Sequence, residues 1–116
     1  MNNSTSANAL IVGIGNGRGI EAEPTLEPIS GNNIIVCGNN NQNIGAHASI
    51  MFGSSGINKG AQSLVGGQNI INEGTCSLVV SYAANGQTAE NHATASWLGG
   101  DGCYIGPNAT SSLVHG

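Results

Sequence analysis

The sequence predicts an all-β chain, a parallel β-solenoid with coils of about fourteen residues, and three observations predict it. Glycines recur at a spacing of seven through the middle of the chain. A five-residue apolar block stands ahead of alternate glycines. The composition also argues against an ordinary core, with 39% hydrophobic residues, only 3% aromatic and 19 glycines in 116 residues. A Gly- and Asn-rich chain often reads as disordered. With only 7% charged residues, however, disorder driven by charge is excluded. Such a chain can order by stacking short strands, each coil contacting only its neighbours.

The glycines set the register. Gly38 and Gly45 are seven apart, and after one extra residue Gly53, Gly60, Gly67 and Gly74 continue the spacing, with Ser81 next in the series. The apolar blocks are Ile34-Ile35-Val36-Cys37-Gly38, Ser49-Ile50-Met51-Phe52-Gly53, Ser63-Leu64-Val65-Gly66-Gly67 and Ser77-Leu78-Val79-Val80-Ser81, and the chain closes on Ser112-Leu113-Val114-His115-Gly116. A second half-unit alternates with them as Asn43-Ile44-Gly45, Ile57-Asn58-Lys59-Gly60 and Ile71-Asn72-Glu73-Gly74. Asn43, Asn58 and Asn72 all stand two before the glycine. Fourteen residues hold two short strands and two corners; Ile, Leu and Val suit the strands. Gly and Asn suit corners with positive φ.

Strand alternation then assigns faces. Ile50 and Phe52 share one face and Met51 takes the other, while Leu64 and Val65, or Leu78 and Val79, split likewise. Both faces are apolar, as in strands covered on two sides. One face fills the coil. The other calls for a partner, and a neighbouring copy of the chain is the simplest.

The Ser-apolar-x-apolar-Gly block followed by a small-x-Gly half-unit resembles the head repeat of YadA-like trimeric adhesins. Ile105-Gly106-Pro107-Asn108-Ala109 is similar to that family's strand-to-corner segment. The resemblance covers residues 31–81 and extends to 103–116; Ala9-Leu10-Ile11-Val12-Gly13 reads as one more block. It implies a left-handed parallel β-roll, a side-by-side homotrimer and display on a virion or cell surface. The same repeats resemble segments of phage tail fibres. The layout expected is one domain over 1–116, with regular repeats over 31–81, a loop insertion over 19–30, an irregular segment over 82–103 and a final block over 103–116. Ser77 and Ser112 are 35 residues apart where two regular units take 28, so a loop or distorted coil is expected between Tyr82 and Cys103. The 19–30 segment carries Glu21, Glu23, Pro24, Glu27 and Pro28, a poor strand and an exposed loop. Insertions in a solenoid map to loops, often on the binding face.

Other classes lose support on simple grounds. A net charge of −4 with two basic residues, Arg18 and Lys59, gives no surface for nucleic acid or an anionic membrane. No apolar run approaches the roughly 18 residues of a spanning helix. The N-terminal Met1-Asn2-Asn3-Ser4-Thr5-Ser6 lacks the basic and apolar regions of a secretory leader. Cys37, Cys76 and Cys103 form no CxxC and read as small, partly buried thiols. Free thiols and the missing leader favour a virion protein assembled in the cytoplasm.

No motif points to catalysis, and the expectation is a non-enzyme without cofactor or metal. Gly13-Ile14-Gly15-Asn16-Gly17-Arg18-Gly19 lacks the following helix of a dinucleotide fingerprint and reads as a glycine-rich corner. His47, His92 and His115 are far apart and read as solvated or capping. Glu21, Glu23, Glu27, Glu73, Glu90 and Asp101 show no pairing with His, Ser or Cys for acid–base work and read as solvated. Tyr82, Trp97 and Tyr104 lie in or beside the irregular segment, where aromatics either anchor a ligand or cover the end of the roll. They are the candidate binding residues, and a host-surface glycan or protein receptor is the expected partner. The function expected is a structural or adhesive module of a phage tail fibre or other virion attachment protein. The head of a bacterial trimeric autotransporter adhesin is the alternative. A left-handed β-helix acyltransferase fits less well, because its period is six where this chain's glycines space at seven. An ice-binding solenoid lacks its regular Thr array.

Overall fold

The computed structural model describes residues 7–17, 29–84 and 86–116, and within them the chain is all strand with no helix. In chain order the strands are β1 (Ala7–Ile14), β2 (Asn32–Asn39), β3 (Gln42–Asn43), β4 (Ile50–Ser54), β5 (Ile57–Asn58) and β6 (Leu64–Gln68). There follow β7 (Ile70–Asn72), β8 (Leu78–Tyr82), β9 (Ala89–Asn91), β10 (Trp97–Asp101), β11 (Tyr104–Ile105) and β12 (Leu113–His115). They stack into two parallel sheets, a seven-stranded one in the order β1-β2-β4-β6-β8-β10-β12 and a five-stranded one in the order β11-β9-β7-β5-β3. Five coils, from β2 to β11, each contribute a strand to both sheets, while β1 and β12 extend the larger sheet at its two ends. This is the β-solenoid the repeat predicts.

The register gives the length of each coil. Val36 stacks on Met51, Met51 on Val65 and Val65 on Val79, steps of 15, 14 and 14 residues. The step from Val79 to Leu98 is 19 and from Leu98 to Val114 is 16. Gln68 still pairs with Tyr82 and Ile70 with Ala89, so the five extra residues of the longer coil sit at 83–88. The two further residues fall at 106–111, between Ile105 and the last strand. Between these two places the chain returns to regular strands, β9 and β10. Of the 19–30 insertion, 19–28 lies outside the described residues; Ile29 is fully buried in the core and Ser30 accepts a 2.7 Å bond from Asn43.

The interior is built from columns one residue wide. Val36, Met51, Val65, Val79 and Leu98 form an apolar column from the seven-stranded sheet, all at 1% exposure or less. A serine column, Ser49, Ser63, Ser77 and Ser96, runs beside it, also buried. Opposite stand Asn43, Asn58, Asn72 and Asn91, each at 0% exposure. The Nδ2 of Asn58 donates to Asn43 Oδ1 at 2.9 Å, Asn72 to Asn58 at 2.9 Å and Asn91 to Asn72 at 2.8 Å. Ser49 and Ser96 hydroxyls donate across the interior to Asn43 and Asn91. A buried amide is costly unless its hydrogen bonds are made. Here stacking supplies them, so a polar ladder can stand where a narrow coil has no room for large side chains.

The glycines do different work from that expected. Gly38, Gly53 and Gly67 lie inside the long strands, not at corners, with φ of 117–125°. A Cβ on Gly67 would come within 1.7 Å of the Ser81 carbonyl oxygen of the next coil, and no shift of a flexible side chain could relieve it. One corner uses glycine and asparagine as expected, with Gly15, Asn40, Ser55, Asn69 and Gly102 at φ of 54–71°, whereas the other is built without glycine. Asn33, Ala48, Gln62, Cys76, Ala95 and Ser111 stack one above another with φ of 52–57°. Each left-handed residue is held by its own N–H, as when Gln62 donates to His47 and Cys76 to Ala61 of the preceding coil.

Candidate functional site

The alternation of the long strands places apolar side chains on the outer surface of the seven-stranded sheet. Met51, Val65 and Val79 are buried while Ile50, Phe52, Leu64 and Val80 are exposed, as the strand pattern predicts. One outward column is apolar in every coil: Leu10, Ile35, Ile50, Leu64, Leu78, Trp97 and Leu113. Beside it run Val12, Cys37, Phe52, Gly66, Val80, Gly99 and His115. The Phe52 ring lies over Gly66, where a Cβ would be 2.0 Å from its Cζ. Of the large apolar side chains exposed among the described residues, all but Tyr104 stand on this face. The third outward column turns polar after Ile14, with Asn39, Ser54, Gln68, Tyr82 and Asp101.

The three aromatic candidates are not brought together. Trp97 belongs to the apolar column of the seven-stranded sheet at 47% exposure, and Tyr82 ends β8 on the same face at 52%. Tyr104 lies on the five-stranded sheet, 59% exposed, with its ring 5.6 Å from that of His92. All three occupy regular strand positions rather than the projecting loop.

The five-stranded sheet collects the charge. Lys59, Glu73 and His92 follow its strands in register, and Glu90 lies on β9. Lys59 Nζ meets Glu73 at 2.8 Å, His92 Nδ1 meets the other Glu73 oxygen at 2.6 Å and His92 Nε2 meets Glu90 at 3.0 Å. Hydrogen bonds from Lys59 and then His92 hold the Glu73 carboxyl below its ordinary range. The bond to Glu90, aided by Glu73 and opposed by partial burial, raises His92 above the usual imidazole value. Both ring nitrogens are occupied, so neither is open to a substrate. Sequence reasoning missed this cluster. The signal was Asn91-His92 continuing the Asn58-Lys59 and Asn72-Glu73 series, displaced by the five-residue insertion.

The remaining candidates stay apart. His47 Nδ1 accepts the Asn32 N–H at 3.1 Å, a capping role. His115 is exposed on the last strand, and no group of three His, Cys, Asp or Glu able to hold a metal occurs among the described residues. Cys76 is exposed, not partly buried as expected, because its left-handed corner turns it outward to Gln62 at 3.1 Å. In the glycine-rich segment, Asn16 is buried and its Oδ1 accepts the Asn41 N–H at 3.0 Å, which makes it part of a coil corner. Comparison with protein-family models, with curated proteins and with solved structures finds nothing that matches this chain.

Proposed function

We propose that this chain is a structural and adhesive module: a left-handed roll that assembles side by side as a homotrimer, within a phage tail fibre or other attachment protein on a virion or cell surface. The observation that carries the reading is the apolar outer face of the seven-stranded sheet. Seven strands about 4.8 Å apart, of three to eight residues and most of them five, at about 3.3 Å per residue, give a flat footprint on the order of 500 Å² before side-chain relief is added. Stable interfaces bury about 800 Å² of accessible surface per partner. The flat footprint is over half that figure, and the relief of its projecting Ile, Leu, Phe and Trp side chains brings the accessible area closer to it. Among the described residues it carries no Lys or Arg, and its one acid, Asp101, sits in the outermost column.

The occupant follows from the period. The apolar column repeats once per coil, and a partner that matches it along its length needs the same rise per coil. Another copy of this chain has it. Charges gathered on the opposite sheet keep the assembled particle soluble. Sedimentation equilibrium tests the reading: the expected mass is three times the 11.6 kDa chain. A monomer at micromolar concentration overturns it.

A further inference from the structure

We propose that the outer surface of the five-stranded sheet carries a groove for one neutral sugar ring, walled by Gly86, Gln87 and Thr88. The groove holds about 240 Å³ and has Ile57 and Ile71, stacked on adjacent strands, as its floor. Ser55 and Asn69 form one rim, and Gly86, Gln87 and Thr88 of the insertion form the other. Strand pairing is regular on both sides of the insertion, and while its Ala83 packs in the core, Gly86, Gln87 and Thr88 face outward. Those three residues are thus free to serve a surface.

The chemistry selects the ligand class. A pyranose ring has an apolar C–H face that suits two stacked isoleucines, and a belt of hydroxyls that suits amide and hydroxyl rims. Among the described residues the side chains of Ser55, Gln87 and Thr88 make no hydrogen bond, which leaves their donors and acceptors to a ligand. No charged side chain lines the groove. Glu90, next to Ile71 on the neighbouring strand, is engaged by His92 at 3.0 Å. A charged sugar would find nothing to compensate it, and a neutral one would lose nothing. Asn69 is fixed by its own bond to the Ala83 carbonyl at 2.8 Å, which ties the rim to the root of the insertion.

This inference gives the attachment role a ligand class and rests on that role for its biological sense. The binding event itself is independent of assembly, because the groove lies on the other sheet. The test is a titration of isotope-labelled protein with methyl α-glucopyranoside, methyl α-galactopyranoside and N-acetylglucosamine, with glucuronate as the charged control, followed by backbone amide shifts. At least one neutral sugar is expected to give saturable millimolar shifts centred on Ile57, Ile71, Gln87 and Thr88. Thr88→Ala, which removes one hydrogen bond, is expected to weaken binding about fivefold. Absence of saturable shifts at these residues, equal response to glucuronate, or a Thr88→Ala response like the parent's would each overturn the groove. Sedimentation of the same samples separates the two proposals: a trimer that ignores sugar removes only the groove, and a monomer that binds it removes only the assembly.

Discussion

The two sheets share five coils and yet present different surfaces. On the seven-stranded sheet the outward column is Leu, Ile or Trp in each coil; on the five-stranded sheet the equivalent positions give Ile57, Ile71, Glu90 and Tyr104, flanked by Lys59, Glu73 and His92. Their inward columns differ as well, aliphatic on one side and asparagine on the other. In a solenoid one position per coil decides one stripe of surface. The interior can therefore be kept constant while each face is written separately, one apolar and the other carrying the charge.

The contrast is most severely tested by the positions that permit stacking. Gly67→Ala in the seven-stranded sheet drives a Cβ into the next coil's backbone. It is expected to cost about 3 kcal/mol or more and to abolish a cooperative melt in circular dichroism. On the five-stranded side Asn72→Ala removes the shorter of two bonds at Asn58 Oδ1 and at Asn91 Nδ2, leaving them only the Gly60 N–H at 3.2 Å and the Ala93 carbonyl at 3.3 Å. Two lost buried hydrogen bonds at roughly 0.5–1.5 kcal/mol each predict a loss of about 1–3 kcal/mol in urea unfolding. Ile71→Ala beside it, only half-buried, should cost distinctly less.

The charged cluster has a smaller effect, with a definite pH window. His92 is raised in the fold, so its contribution is full below its ordinary value near 6.5 and is lost as pH rises through the raised value. Glu73 is lowered, so its contribution is full above its ordinary value near 4.5 and is lost as pH falls through the lowered one. Both act together between about pH 4.5 and 6.5. The partners are substantially exposed, so the gain is under about 1 kcal/mol. His92→Gln should flatten the alkaline side of a plot of Tm against pH and leave the outer face of the other sheet unaffected. Least of all, Ala95→Gly at a left-handed corner is expected to stabilise by about 0.5 kcal/mol, relief of strain offset by a freer unfolded chain.

Much of this organisation was legible in the sequence. Alternation about Met51, Val65 and Val79 identified the buried and outward faces, and the glycine period identified the coil. The asparagines were seen to be equivalent, but their burial was not, because isolated Asn favours exposed turns and only stacking between coils satisfies it. The corners were assigned to glycine and asparagine, and Asn33, Asn40, Asn69 and Gly102 do stand there, while Gly38, Gly53 and Gly67 lie where neighbouring backbones touch. Yet Ala48, Gln62 and Cys76 stand at corners too. Local preference yields to inter-coil hydrogen bonds at those positions. Of the candidate site, Trp97 and Tyr104 looked like neighbours on a loop. A solenoid sends residues seven apart to opposite sheets, and the two are separated for that reason.

The central claim is that the seven-stranded face, and not the five-stranded one, joins copies of this chain. Leu64→Asp and Ile71→Asp place the same charge on the two outer faces within one coil. Sedimentation of both variants beside the parent chain measures the difference directly. The account predicts a trimeric parent, a trimeric Ile71→Asp and a monomeric Leu64→Asp with an unchanged β spectrum. A monomeric parent, or a Leu64→Asp chain that still assembles, would contradict it.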